Sequence, residues 1–257
     1  RDHPWRGGGD GVDPVILVGS RFNPRADTTN TPGDAVEFAA LEGFISPRFF
    51  DGQTNIASLV LAEGGSVAAP NLISLNSQLV KTQLTGIVDG NHQVALERKP
   101  TPFNPQVVTY GIWVILDFGR TIGVHRVRFY PRNTVAQTPG LPYHNDFLRA
   151  YELFVNETLT NTVAGSPDVL IERDRDNTSP VVDLSFAPRY VRLVKLRSLT
   201  QTPFEIDEVE VYGAGYMDDA VYLSDLIDLG QPALPGPVRW RPVVVGDPAF
   251  SDLAVRV

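Results

Sequence analysis

Between residues 131 and 146 the chain gathers Arg132, Asn133, Tyr143, His144 and Asn145, a set of side chains suited to recognising a polyhydroxylated ligand. A tyrosine ring offers a flat apolar face to the C–H groups of a sugar, while guanidinium, amide and imidazole groups exchange hydrogen bonds with its hydroxyls. The same composition also fits a polar surface loop with no ligand, and on the residues alone both readings stay open. These five are the candidate ligand-binding residues, and a glycan is the candidate ligand.

Catalysis finds little to work with. The chain has no His-Glu-x-x-His pair, no Gly-x-Ser-x-Gly elbow and no cysteine nucleophile, and its four histidines are scattered. The carboxylates Glu205, Asp207, Glu208 and Glu210 crowd one segment, but alternation along a strand puts Glu208 and Glu210 on one face and Asp207 on the other. A glycosidase needs two carboxylates facing each other across a cleft. No catalytic residue is assigned, and the chain is expected not to be an enzyme. Asp174-Arg175-Asp176-Asn177 lacks the glycine and distal glutamate of a helix-flanked calcium loop and reads as a charged hairpin turn. Gly7-Gly8-Gly9-Asp10-Gly11 neither follows a strand nor opens a helix, so it is no phosphate cradle. Trp113, inside an apolar run, reads as core rather than platform.

Charge and composition exclude further classes. A formal net charge of −8, with no run of Lys or Arg, removes the attraction to phosphate on which nucleic-acid binders depend. Without cysteine there is neither a disulfide framework nor a thiolate metal site. No segment reaches the roughly 20 continuous apolar residues of a membrane helix. Residues 1–10 contain no apolar signal core, which leaves either an exported chain already processed or a cytosolic one. The sequons at Asn156 and Asn177 would matter only in a eukaryotic secretory pathway.

The elements that must position these residues are mainly strands. Turn clusters separate β-rich runs at 112–118, 124–130, 148–156, 169–172, 181–186, 190–196 and 206–212, the rhythm of an antiparallel sandwich. Period two is visible: His125, Val127 and Phe129 share one face, and Tyr151, Leu153 and Val155 another. Val127, Phe129, Leu153, Val155, Val209 and Val211 are the expected interior positions. Upstream, 35–41 reads as a short helix and 56–61 as a strand, while the spacing of Leu72, Leu75 and Leu79 leaves helix or loop open. The absence of convincing amphipathic helices disfavours a parallel α/β sheet.

Three regions result: an extended Gly/Pro-rich arm over 1–34, a β-sandwich over 35–217 with its core at about 55–213, and an additional β segment over 218–257. Asp228-Leu229-Gly230 precedes Val238-Arg239-Trp240 by the spacing that separates Asp117-Phe118-Gly119 from Val127-Arg128-Phe129. That similarity admits two readings, the start of a second sandwich or a generic strand-turn-strand unit. Val221, Leu223, Leu226, Ile227, Leu229, Val238, Trp240, Val243, Val244 and Val245 carry more apolar surface than two or three strands can enclose, so this segment and the arm are expected to pack on the sandwich or on neighbouring copies.

Four motifs then occur in a telling order: Ile87-Val88-Asp89-Gly90-Asn91, Trp113-Val114-Ile115-Leu116-Asp117-Phe118-Gly119, Arg189-Tyr190-Val191-Arg192-Leu193, and Glu205-Ile206-Asp207-Glu208-Val209-Glu210-Val211-Tyr212-Gly213. Over about residues 55–213 the chain resembles the discoidin-like, galactose-binding-like family, which includes coagulation-factor C-type domains and bacterial carbohydrate-binding modules. The resemblance implies an all-β, antiparallel jelly-roll β-sandwich whose loops at one end bind sugars, lipids or protein, beside a structural calcium ion. It implies Asp89, Asn91 and Glu208 as the metal ligands, since calcium takes six to eight hard oxygens. One departure stands out. Where the family follows its Asp-Gly turn with Ser or Thr and Trp, this chain reads Asn91-His92-Gln93-Val94, so a hydroxyl is missing.

The expectation is a secreted or cell-surface binding module, non-catalytic, with structural calcium and a glycan or cell-surface polymer as partner. Two alternatives are a structural subunit of a surface layer or fibre, assembled with copies of itself through its terminal segments, and an accessory module of a larger glycan-degrading enzyme.

Overall fold

Two strands rich in β-branched and aromatic residues run nearly the whole height of the molecule side by side. They are β6 (Trp113–Tyr130) and β9 (Val182–Ser198), antiparallel throughout. The structure is a computed structural model and describes residues 36–37, 46–61, 65–72, 77–102, 105–135, 143–157, 168–218, 220, 242–244 and 248–253. Around that pair lie β1 (Val36–Glu37), β2 (Ser46–Pro47), β3 (Phe49–Asn55), β4 (Ser66–Ala68), helix α1 (Ser77–Gly86), β5 (Leu96–Arg98), β7 (Tyr151–Asn156), β8 (Val169–Asp174), β10 (Phe204–Ile206) and β11 (Glu208–Tyr216).

The long pair bends because its register slips. Asp117 pairs with Leu193 and Ile122 with Val191, so residues 118–121 stand opposite Arg192 alone. Gly119 supplies the left-handed backbone there, at φ +74°, and its N–H donates to Asp117 Oδ1 at 2.8 Å. Arg192 Nε donates to the same oxygen at 2.9 Å, tying the bend across both strands. Before the bend, β6 pairs with β4 and β9, and β9 carries β7 and then β8. Beyond it, β6 pairs with β11, which pairs with β3. One seven-stranded hydrogen-bonded sheet thus folds over into the two layers of an antiparallel sandwich. Phe129 of one layer meets Tyr151 of the other edge-on, with centroids 5.1 Å apart.

The strand phases follow the sequence pattern. Val127, Phe129, Leu153, Val155, Val209 and Val211 are all buried in one core cluster with Leu116, Phe118 and Ile206. Trp113 is buried on the outer side of its layer, under Phe154 and the guanidinium of Arg197. The 174–177 turn is charged and hairpin-like: Asp174 Oδ1 accepts from Asp176 N at 2.8 Å, while buried Asn177 donates from Nδ2 to Leu148 O and Ser179 O.

Three expectations are corrected. Residues 57–61 form a 3₁₀ turn rather than a strand, because Asn55 Oδ1 takes the N–H of Ala57 and of Val211 and ends the strand before it. Val36–Glu37 is extended and pairs with β2, not helical. The helix near Leu79 starts at Ser77, so Leu72 is not part of it, and Leu79 itself points to solvent. Residues 1–34 and the repeat-like motif at 228–240 lie outside the described residues. Of the C-terminal segment, Ala220 packs against the core just after buried Met217, whereas Val243, Val244 and Leu253 are exposed on this chain.

Candidate functional site

The site grows from a two-stranded ribbon. Strand β10 pairs with β5, setting Glu205 opposite Glu97, and buried Phe204, Ile206 and Leu96 seat the ribbon on the core. The N–H of Glu205 donates to Asp146 O at 2.8 Å, fastening the end of the 131–146 loop to β10. Its carboxylate, fully enclosed, is the hub. Arg132 donates to Oε1 from its main-chain N at 2.9 Å and from Nε at 3.1 Å, and to Oε2 from Nη2 at 2.8 Å. Lys99 Nζ lies 2.5 Å from the same Oε2 and 2.6 Å from Asp146 Oδ2. The Arg132 guanidinium also pairs with Glu97.

Electrostatics settle the charges. Burial by itself would raise the Glu205 pKa, but the bonds from Arg132 and Lys99 outweigh it and hold the carboxyl below its usual range. Burial likewise pulls the Lys99 ammonium down, and its bonds to Asp146 and Glu205 reverse the sign. Arg132 is held up chiefly by its hydrogen bonds to Glu205.

Tyr143 completes the arrangement. The Arg132 guanidinium carbon lies 4.0 Å from its ring centroid and Lys99 Nζ 4.9 Å, both within cation–π range. Both cations bond the same oxygen of Glu205, so their positions beside the ring are linked. Ring, cations and carboxylate thus form one cluster. Asp146 N donates to Tyr143 O at 2.9 Å, closing the turn that carries His144 and Asn145. Asn145 is exposed, and its carbonyl accepts from Arg149 at 3.2 Å. Buried His144 Nδ1 has no partner among the described residues. Asn133 adopts a left-handed turn at φ 54°, a conformation asparagine tolerates.

Arg132 and Tyr143 are therefore brought together, with His144 and Asn145 in the adjoining turn. Glu97, Lys99 and Glu205 join from outside the 131–146 loop and Asp146 from its end, and none of the four was among the candidate ligand-binding residues.

Solved structures similar to this chain include carbohydrate-binding modules. CpGH89CBM32-5 of Clostridium perfringens, solved with GalNAc-β-1,3-galactose, is 18% identical, with 57% of this chain and 94% of that one covered at a TM-score of 0.41. Chitosan-binding module 2 from a Paenibacillus sp. IK-5 chitosanase/glucanase, solved with chitotriose, is 17% identical over 58% and 97%, at 0.40. The family 32 module of C. perfringens NanJ, solved with galactose, is 16% identical over 57% and 92%, at 0.41. No family model matches the sequence, and no curated protein does.

Asp89, Asn91 and Glu208 lie at the turn after α1 and the start of β11. Glu208 is buried; its Oε1 accepts from Gly90 N at 3.1 Å, and its Oε2 has no hydrogen-bond partner among the described residues. Burial pushes its carboxyl up to about 8; the Gly90 N–H pulls it down, while the charges of Asp89, Asp207 and Glu210 add to the rise. Asp89 Oδ1 caps its turn by accepting from Asn91 N at 2.7 Å. Among the described residues no three His, Asp or Glu side chains converge as a metal cluster. An orphaned carboxylate oxygen within electrostatic reach of a second carboxylate does fit a hard cation, provided carbonyls and water complete the shell. Next to it, Asp207 Oδ2 lies 2.7 Å from His92 Nδ1.

Proposed function

We propose that this chain is a non-catalytic glycan-binding module, acting outside the cell or at its surface, with its combining site at Tyr143. The observation that carries this reading is the contact of the Tyr143 ring with Arg132 and Lys99, both fixed by a buried carboxylate. A ring so held loses little freedom on binding, and preorganisation of this kind lowers the cost of capturing a flexible sugar. Asn133, His144 and Asn145 are the polar groups assigned to hydroxyl recognition, while Arg132, engaged with Glu205 and Glu97, positions the ring.

The burial of Glu205 and Glu208 supports a non-catalytic role. Glu205 is pushed down and Glu208 up, the divergence that marks acid/base pairs, yet each is only 1% exposed, so substrate reaches neither. Calcium belongs to the proposal as a structural ion held by Asp89, Asn91 and Glu208, where its charge would offset the buried Glu208 carboxylate. The test is a glycan array probed with the whole chain and with Tyr143→Ala. Specific signals that vanish in the variant support the reading, and an array on which neither binds rejects it.

One observation favours a second reading, assembly with copies of itself. Strand β8 ends the sheet order with Val169 and Leu170 exposed, and Leu170, Ile171, Leu184 and Phe186 line a groove beside it. Exposed apolar edges are what strand addition uses. A chain that stays monomeric in light scattering at high concentration rejects this reading.

A further inference from the structure

We infer that the Tyr143 site selects amine-bearing sugars, of the glucosamine type, over neutral N-acetylated and acidic ones; this rests on the glycan-binding reading. The cluster sets three carboxylates, Glu97, Asp146 and Glu205, against two cations, Lys99 and Arg132, leaving one negative charge in excess.

Their orientation matters more than the count. The cations are turned inward, with side chains 16% exposed for Arg132 and 22% for Lys99, while the carboxylates of Glu97 and Asp146 stand at the rim, 40% and 34% exposed. Within the cluster the two carboxylates are thus the more accessible charges, with exposed Arg149 beside them at Asn145. Each carboxylate has about four lone-pair sites, so one bond to a cation leaves room for a donor from the ligand.

An acidic sugar fares badly at such a rim. To reach Arg132 or Lys99 it must pass Glu97 and Asp146 and draw the cation away from Glu205, stranding a buried charge. An ammonium gains charge-assisted hydrogen bonds at the rim and disturbs nothing beneath it. The formal net charge of −8 also steers polycations inward and polyanions away.

The experiment is calorimetric titration of the full chain, near pH 6 and at low salt, with tetramers of glucosamine, N-acetylglucosamine and galacturonic acid. The glucosamine tetramer is expected to bind at least about tenfold more tightly than its N-acetylated counterpart, the factor one charge-assisted bond supplies. Glu97→Gln and Asp146→Asn, each keeping an acceptor for its cation, should bring that ratio towards one, with thermal melts verifying the fold. Equal or tighter binding of the N-acetylated or acidic tetramer overturns the inference. So does glucosamine binding that survives Tyr143→Ala, which would be bulk attraction to a negative chain. If neutral sugars bind in a Tyr143-dependent way without any preference for the amine, the inference falls and the glycan-binding reading stands.

Discussion

Arg132 and Glu205 are joined at three points, by the main-chain N–H and Nε of Arg132 to Oε1 and by Nη2 to Oε2. This link joins the start of the 131–146 loop to β10, while Asp146 O holds the other end through the N–H of the same glutamate. One buried glutamate, through its carboxylate and its N–H, thus sets the span of the loop that carries Tyr143.

Removing it should be felt in stability. Glu205→Ala leaves Arg132 and Lys99 without their enclosed partner and should cost about 3 kcal/mol in urea unfolding, with Glu205→Gln recovering part. The Glu205 pKa is depressed from its ordinary 4.5, so the folded state binds this proton less tightly than the unfolded chain. Its contribution is complete above pH 4.5 and is lost as pH falls through the folded value. The gap between wild type and Glu205→Ala should therefore narrow on the acid side; a gap constant down to pH 2 would contradict the assignment.

Glu208 works in the opposite direction. Its carboxyl is raised to about 8, so the folded state holds this proton more tightly. In chelator, stability should fall as pH rises from about 4.5 through 8, and Glu208→Gln should flatten that fall. Added calcium should raise the melting temperature of the wild type by mass action but not that of Glu208→Gln. Identical melts with calcium and with chelator would reject the ion.

Gly123 should tolerate no side chain. A Cβ there would lie 1.9 Å from the main-chain oxygen of Ala214, which belongs to a paired strand and cannot step aside. Gly123→Ala should cost about 3 kcal/mol or more. Gly111→Ala, at φ +76° with nothing within 4 Å, should cost only the backbone strain of about 1–2 kcal/mol. Denaturant midpoints of the two variants test the ranking.

The sandwich was legible because period two needs only neighbours: Val127 with Phe129, Leu153 with Val155, Val209 with Val211. Less legible was that β6 and β9 are each continuous. Gly119 and Pro188 read as ends of strands, yet both sit in irregularities of one strand, with residues 186–188 opposite His125 alone, where proline removes no ladder bond. Short apolar runs such as 57–61 look alike as strand or 3₁₀ turn; the arbiter is Asn55, whose amide oxygen ends the strand. Within the site, Arg132 and Tyr143 stood out by type in one loop. Their anchor did not, because Glu205 lies 73 positions from Arg132, and only the pairing of β10 with β5 brings Glu97 and Lys99 beside it.

The central claim is that a sugar binds against the Tyr143 ring. Calorimetric titration of an array-positive glycan into wild type, Tyr143→Phe and Tyr143→Ala tests it most directly. Tyr143→Phe keeps the ring over its cations and should bind within about twofold of wild type, whereas Tyr143→Ala should lose about tenfold or more, the worth of a stacked aromatic face. Unchanged affinity in Tyr143→Ala, with an unchanged melting temperature, would contradict the account.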